Sequence, residues 1–196
     1  MTVTAARAGR LINWFMPAAD VTERHETLVH APADVVFDVA RSLDMQTGPA
    51  IHAIFWLRGK LLGATPMPAR RRQGLVAETV ALGWAVLGER PGRELVMGAV
   101  TQPWMADVKF TAVAPDRFAA FAEPDLVKIV WTLEAEPLGP ALTRFRTETR
   151  ALATDGAAQR KFRRYWRWAR VGIVLIRWLL VPRLRREAER RAAIKP

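Results

Sequence analysis

Val171-Gly-Ile-Val-Leu-Ile-Arg-Trp-Leu-Leu-Val181 is the most apolar run of the chain, and it lies inside the most basic part of it. Residues 155–196 hold 13 Lys/Arg against three acids, Asp155, Glu187 and Glu189, a net of +10. The other 154 residues carry 17 basic and 16 acidic side chains, a net of +1. Spacing predicts one long helix from about Asp155 to residue 193. Phe162, Trp166, Ala169, Ile173, Ile176 and Leu180 recur at steps of three or four and form a stripe to bury. Arg163, Arg167, Arg170, Arg177 and Arg185 follow the same spacing on the opposite face. Pro182 is expected to kink or restart the helix. One element must therefore bury an apolar face and show a basic one.

Upstream of this helix the period changes from 3.6 to two. Val127, Ile129, Trp131, Leu133 and Ala135 alternate with Lys128, Thr132, Glu134 and Glu136, the clearest strand signal in the chain. The next segment puts Arg144, Arg146, Glu148 and Arg150 on one face and Phe145, Thr147 and Thr149 on the other. Glu134 and Glu136 are placed to pair across this hairpin with Arg144 and Arg146. Strands are predicted at 76–89, 93–101, 107–114, 117–122, 125–136 and 142–153, with turns at Arg90-Pro-Gly92, Ala114-Pro-Asp116 and Pro137-Leu-Gly-Pro140. The pattern implies an antiparallel sheet with one dry and one wet face.

The first part of the chain adds a short helix at 7–16, ended by Pro17, and a strand at about 20–30 in which Val21, His25, Thr27 and Val29 share one parity. Ala31-Pro32-Ala33-Asp34 opens a helix with Val35, Val36, Val39 and Leu43 on its apolar side. A second helical stretch is expected at about 49–62, followed by a Pro/Gly-containing loop at 63–75 placed to gate an interior. Residues 1–19 read as a short helix and extension, and residues 20–193 as a single domain.

Composition narrows the function classes. The 196 residues include no cysteine, so disulfides, thiolate chemistry and cysteine metal sites are excluded. His25, His30 and His52 have no metal-ligand spacing, and no phosphate loop or nucleophile elbow occurs, so no metal or cofactor is expected. The N-terminal apolar stretch is broken by Asn13 and Pro17, short of a secretory signal. The 171–181 run is also too short for the roughly 20 residues of a membrane span. The expectation is a soluble cytoplasmic protein, touching a membrane at most from the side.

The segment Val21-Thr-Glu-Arg-His-Glu-Thr-Leu-Val-His-Ala-Pro-Ala-Asp-Val-Val-Phe-Asp38 resembles the opening strand and Ala-Pro helix start of the START/Bet v 1-like superfamily, the polyketide cyclase and lipid transport group. Glu89-Arg-Pro-Gly-Arg-Glu-Leu-Val-Met-Gly98 with Trp104, then Thr147-Glu-Thr-Arg150, Thr154-Asp155, Phe162 and Tyr165-Trp166, resemble an uncharacterised bacterial branch of it. The resemblance spans residues 17–190. It implies an α+β helix-grip fold, a curved antiparallel sheet wrapped around the C-terminal helix, with a hydrophobic cavity between them. It carries over no catalytic residue.

Three readings follow. The first is a binder or carrier of a hydrophobic small molecule, a lipid or polyketide-like compound. Met97, Trp131, Phe145 and Trp166 would line its cavity, and His25, Thr147 and Thr149 would supply polar contacts. Eight tryptophans in the chain favour it. The second is a cyclase, aromatase or dehydratase using His25 as acid or base in the same cavity. The third is contact with an anionic membrane, or with a partner protein, through Arg163, Arg167, Arg170 and Arg177. Nucleic acid is the weaker partner, since no DNA-reading motif accompanies the charge. The oligomeric state is left open.

Overall fold

The alternating segments pair as their patterns require. The computed structural model describes residues 9–43 and 74–194, together with Lys60 and Gly63. Its elements are α1 (Ile12–Phe15), β1 (Val21–Val29), α2 (Ala33–Ser42), α3 (Leu75–Ala81), β2 (Ala85–Arg90), β3 (Glu94–Thr101), β4 (Phe110–Thr111), α4 (Pro115–Phe118), β5 (Val127–Gly139), β6 (Leu142–Ala153) and α5 (Gly156–Ile194). The strands form one antiparallel sheet in the order β1-β6-β5-β3-β2, with β4 on β3. Strand, helix, antiparallel strands and a long closing helix make this the helix-grip fold.

Register sorts the sheet into two faces. Glu23, His25, Thr27 and Val29 stand beside Thr149, Thr147, Phe145 and Thr143, and Trp131 and Ala135 stand beside Thr149 and Phe145. Met97 is opposite Trp131. Helix α5 crosses this inner face. It is capped by Asp155, whose Oδ1 accepts the Ala158 N–H at 2.8 Å. Pro182 lies within one uninterrupted helix, so the helix does not restart there. Val181 and Leu184, on either side of it, are buried, and Leu184 joins the core formed with Leu95, Met97 and Phe145 of the sheet.

The outer face departs from the expected wet surface. Leu11, Ile12, Phe15 and Met16 pack there with Leu87, Val96, Val100, Val113, Phe118 and Val130 as a second core. Beside it runs a buried ion network. Arg10 pairs with Glu134 and, at 2.7 Å, with Glu148; Arg150 meets Glu148 at 2.7 Å, and Arg146 meets Glu134 at 3.1 Å. Glu94 accepts the Leu11 N–H at 2.7 Å. The charges that alternate along β5 and β6 are thus matched by an arginine brought over by the N-terminal segment.

Three strand expectations are corrected. The first half of 76–89 is helix α3, ended where Gly83 takes φ +98° and donates to the Val80 carbonyl. At 107–114 only Phe110 and Thr111 pair. At 117–122 there is no strand, because Pro115 starts the helical turn α4. β5 also runs on to Gly139, so the turn after it is tighter than expected. The helical stretch 49–62 and the loop 63–75 lie outside the described residues except for Lys60, Gly63, Gly74 and Leu75, as do residues 1–8.

Candidate functional site

Burial along α5 is interrupted in the middle. Ala158, Phe162 and Ala169 are buried at one end, and Val181, Leu184 and Ala188 at the other. None of residues 170–180 is fully buried. The two ends belong to separate cores: Phe162 with Val127 and Ala151, and Leu184 and Ala188 with Phe145, Leu95, Met97 and the apolar side of α2. Between them the inner sheet face offers Glu23, His25, Thr27, Ile129, Trp131, Thr147 and Thr149, all half-buried. A helix packed tightly on a sheet would seal these positions. Here they lie under the middle of α5, where Arg170 reaches Glu23 and Arg177 reaches Thr149, and they stay partly open to solvent.

Each residue expected at the site can now be placed. Met97 and Phe145 are fully buried and form the floor at the α2 end. Trp131 is half-buried above them, with the Trp84 ring edge-on at 6.5 Å. Trp166 packs on Phe162 at 5.6 Å and closes the other end. His25 and Thr147 are direct cross-strand neighbours near the middle. No hydrogen bond to the His25 ring is formed among the described residues. Glu23, the carboxylate on the same face two residues away, is engaged by Arg170 at 2.7 Å.

The basic set divides. Arg163, Arg167 and Arg170 are exposed, whereas Arg177 turns inward and donates to Thr149 Oγ1 at 2.5 Å. Placing Arg177 on the outward face is therefore corrected. It falls four residues after Ile173 and seven before Leu184, on the buried stripe. Burial lowers its pKa, and the field of Glu23 and then Glu148 opposes that shift. Sequence reasoning also missed Ile129 and Ile173 as residues of this middle region, although the parity of Ile129 with Trp131 was a usable signal.

On the solvent side of α5, Trp168, Val171, Leu175 and Trp178 are exposed at successive steps of three, four and three residues, with Val171 and Trp178 each 69% exposed. The helix therefore has a second apolar stripe, flanked by Arg163, Arg164, Arg167 and Arg185. No helix among the described residues is long and apolar enough to cross a membrane. Two surface pockets also occur, one of about 520 Å³ beside Pro32–Asp34 and Pro137–Pro140, the other of about 890 Å³ between β3 and residues 105–126. None of the inner-face residues under the middle of α5 lines either pocket.

The fold defines the class: a helix-grip α+β protein whose terminal helix is only partly buried along its middle. No protein-family model and no curated protein matches the sequence. Among solved structures, the chain is similar to a conserved protein from Geobacillus kaustophilus (12% identity, 88% of this chain and 95% of that one, TM-score 0.34). It is also similar to Zhui aromatase/cyclase from a Streptomyces species (14% identity, 87% and 94%, TM-score 0.28). Norcoclaurine synthase from Thalictrum flavum is a third (18% identity, 77% and 79%, TM-score 0.26). At these identities and scores the likenesses assign neither ligand nor activity, which rest on this chain's own residues.

Proposed function

We propose that this protein binds a hydrophobic small molecule, a lipid or polyketide-like compound, in the slot between α5 and the inner sheet face. The observation that carries this reading is the gap in burial at residues 170–180, opposite half-buried Ile129, Trp131, Thr147 and Thr149. Apolar side chains held apart in this way gain by accepting an apolar guest, at roughly 25 cal/mol per Å² removed from water. A guest covering about 200 Å² of apolar surface would gain about 5 kcal/mol before the costs of association. His25, Thr147 and Thr149 then orient it through hydrogen bonds. Photo-crosslinking with a diazirine-bearing dodecanol tests the site. Adducts are expected on Ile129, Trp131, Thr147 or Ile173; adducts confined to exposed positions such as Val80 and Met105 would refute it.

A second reading is favoured by the exposed Trp168, Val171, Leu175 and Trp178 stripe. Tryptophans with arginines alongside suit the interface of an anionic bilayer, where rings enter the headgroup layer and guanidiniums meet phosphates. The slot and the stripe lie on opposite sides of one helix, so a protein docked by the stripe would hold its guest on the side away from the lipid surface.

A further inference from the structure

Arg177 points into the slot without a carboxylate of its own. Among the described residues its one hydrogen bond is to the neutral Thr149 hydroxyl, at 2.5 Å. Glu23, the acidic group on the inner face beside it, is held by Arg170 at 2.7 Å. Glu148 lies on the outer face and is taken by Arg10 and Arg150, each at 2.7 Å. Among the described residues, the inner face under the middle of α5 thus holds two arginines against one carboxylate. A partly desolvated guanidinium that makes a single neutral hydrogen bond has donors left over and costs stability unless something else meets it.

Building on the proposed slot, we infer that Arg177 is the anchor for an acidic head group, so that the ligand is a hydrophobic carboxylic acid rather than a neutral hydrocarbon-like molecule. The guanidinium fork matches a carboxylate with two parallel N–H···O bonds. Thr149, already on Arg177, holds the fork in position, and the Thr147 hydroxyl and His25 ring stand beside it on adjoining strands. The tail of the acid would lie along Ile129, Trp131 and Ile173. Charge balance and shape thus point to one ligand chemistry: an apolar chain or ring system ending in a single carboxylate.

The test compares dodecanoic acid with dodecanol near pH 7.5, by calorimetry or displacement of a fluorescent probe, on wild-type protein and on Arg177→Met. Methionine keeps much of the apolar stem while removing the charge. The wild type is expected to bind the acid about tenfold or more tightly than the alcohol, equivalent to about 1.4 kcal/mol or more. In Arg177→Met the ratio should fall close to one while alcohol affinity is retained. Equal binding of acid and alcohol by the wild type overturns the anchor and leaves the slot standing. An acid preference that survives in Arg177→Met assigns it to another cation and also overturns the anchor. If neither compound binds the wild type, slot and anchor fall together.

Discussion

Glu148 is 2% exposed and lies between Arg10 and Arg150 on the outer sheet face. Burial alone would raise its pKa, but the two guanidiniums outweigh that and hold the carboxyl below the usual glutamate range. A depressed native pKa contributes stability that is complete above the ordinary glutamate pKa and lost as pH falls toward the native value. Glu148→Gln should therefore cost about 3 kcal/mol at neutral pH, because it leaves buried arginine charge unmatched. The difference from wild type should shrink as the pH is lowered below about 4.5, which urea unfolding at several pH values would measure. A difference independent of pH would contradict the charge account.

His25 stands directly across from Thr147 on the inner sheet face. As a ligand-orienting group it contributes at most about one hydrogen bond, so His25→Ala should weaken dodecanol binding less than about tenfold. An enzyme relying on this imidazole would instead lose turnover while keeping affinity. The parity of β1 was enough to aim His25 inward from the sequence. The orientation of Arg177 was present in its spacing of four from Ile173 and seven to Leu184, but its place in a row of arginines concealed it.

Among the elements, α5 combines an inner stripe, an outer apolar stripe and arginines between them. Its length and its start near Asp155 could be read from periodicity. Its second stripe could not, because the sequence shows which positions are apolar but not which the sheet leaves uncovered. Replacing Trp168 and Trp178 by serine should leave the inner packing intact, since both are exposed. The pair should abolish flotation with vesicles of anionic lipid, which the wild type is expected to show at low salt and lose as salt rises. Wild-type protein that fails to float even at low salt would remove the membrane reading. Elements dominated by β-branched residues were harder to read. Val76, Thr79 and Val80 suggested a strand, yet in α3 Thr79 is buried and bonds its hydroxyl to the Leu75 carbonyl at 2.6 Å. Packing overrode propensity there.

For the whole molecule, the helix-grip order was legible because the period changes are sharp and the Val21–Asp38 segment resembles a known opening. The outer core was not legible, because it depends on Leu11, Ile12 and Phe15 folding back over charges that look solvated in sequence. A cavity between the sheet and the terminal helix was expected from the resemblance; the break in burial along the middle of α5 was not. Its position follows from how far apart the two end cores sit along α5, a property of packing alone. The central claim, that this slot holds a hydrophobic guest, is tested most directly by native mass spectrometry of the purified protein with denaturing extraction alongside. A discrete additional mass, lost on denaturation and absent from a Thr147→Trp variant that fills the slot, is the predicted result. Protein that stays at its bare chain mass, even after incubation with dodecanoic acid and dodecanol, would contradict the claim.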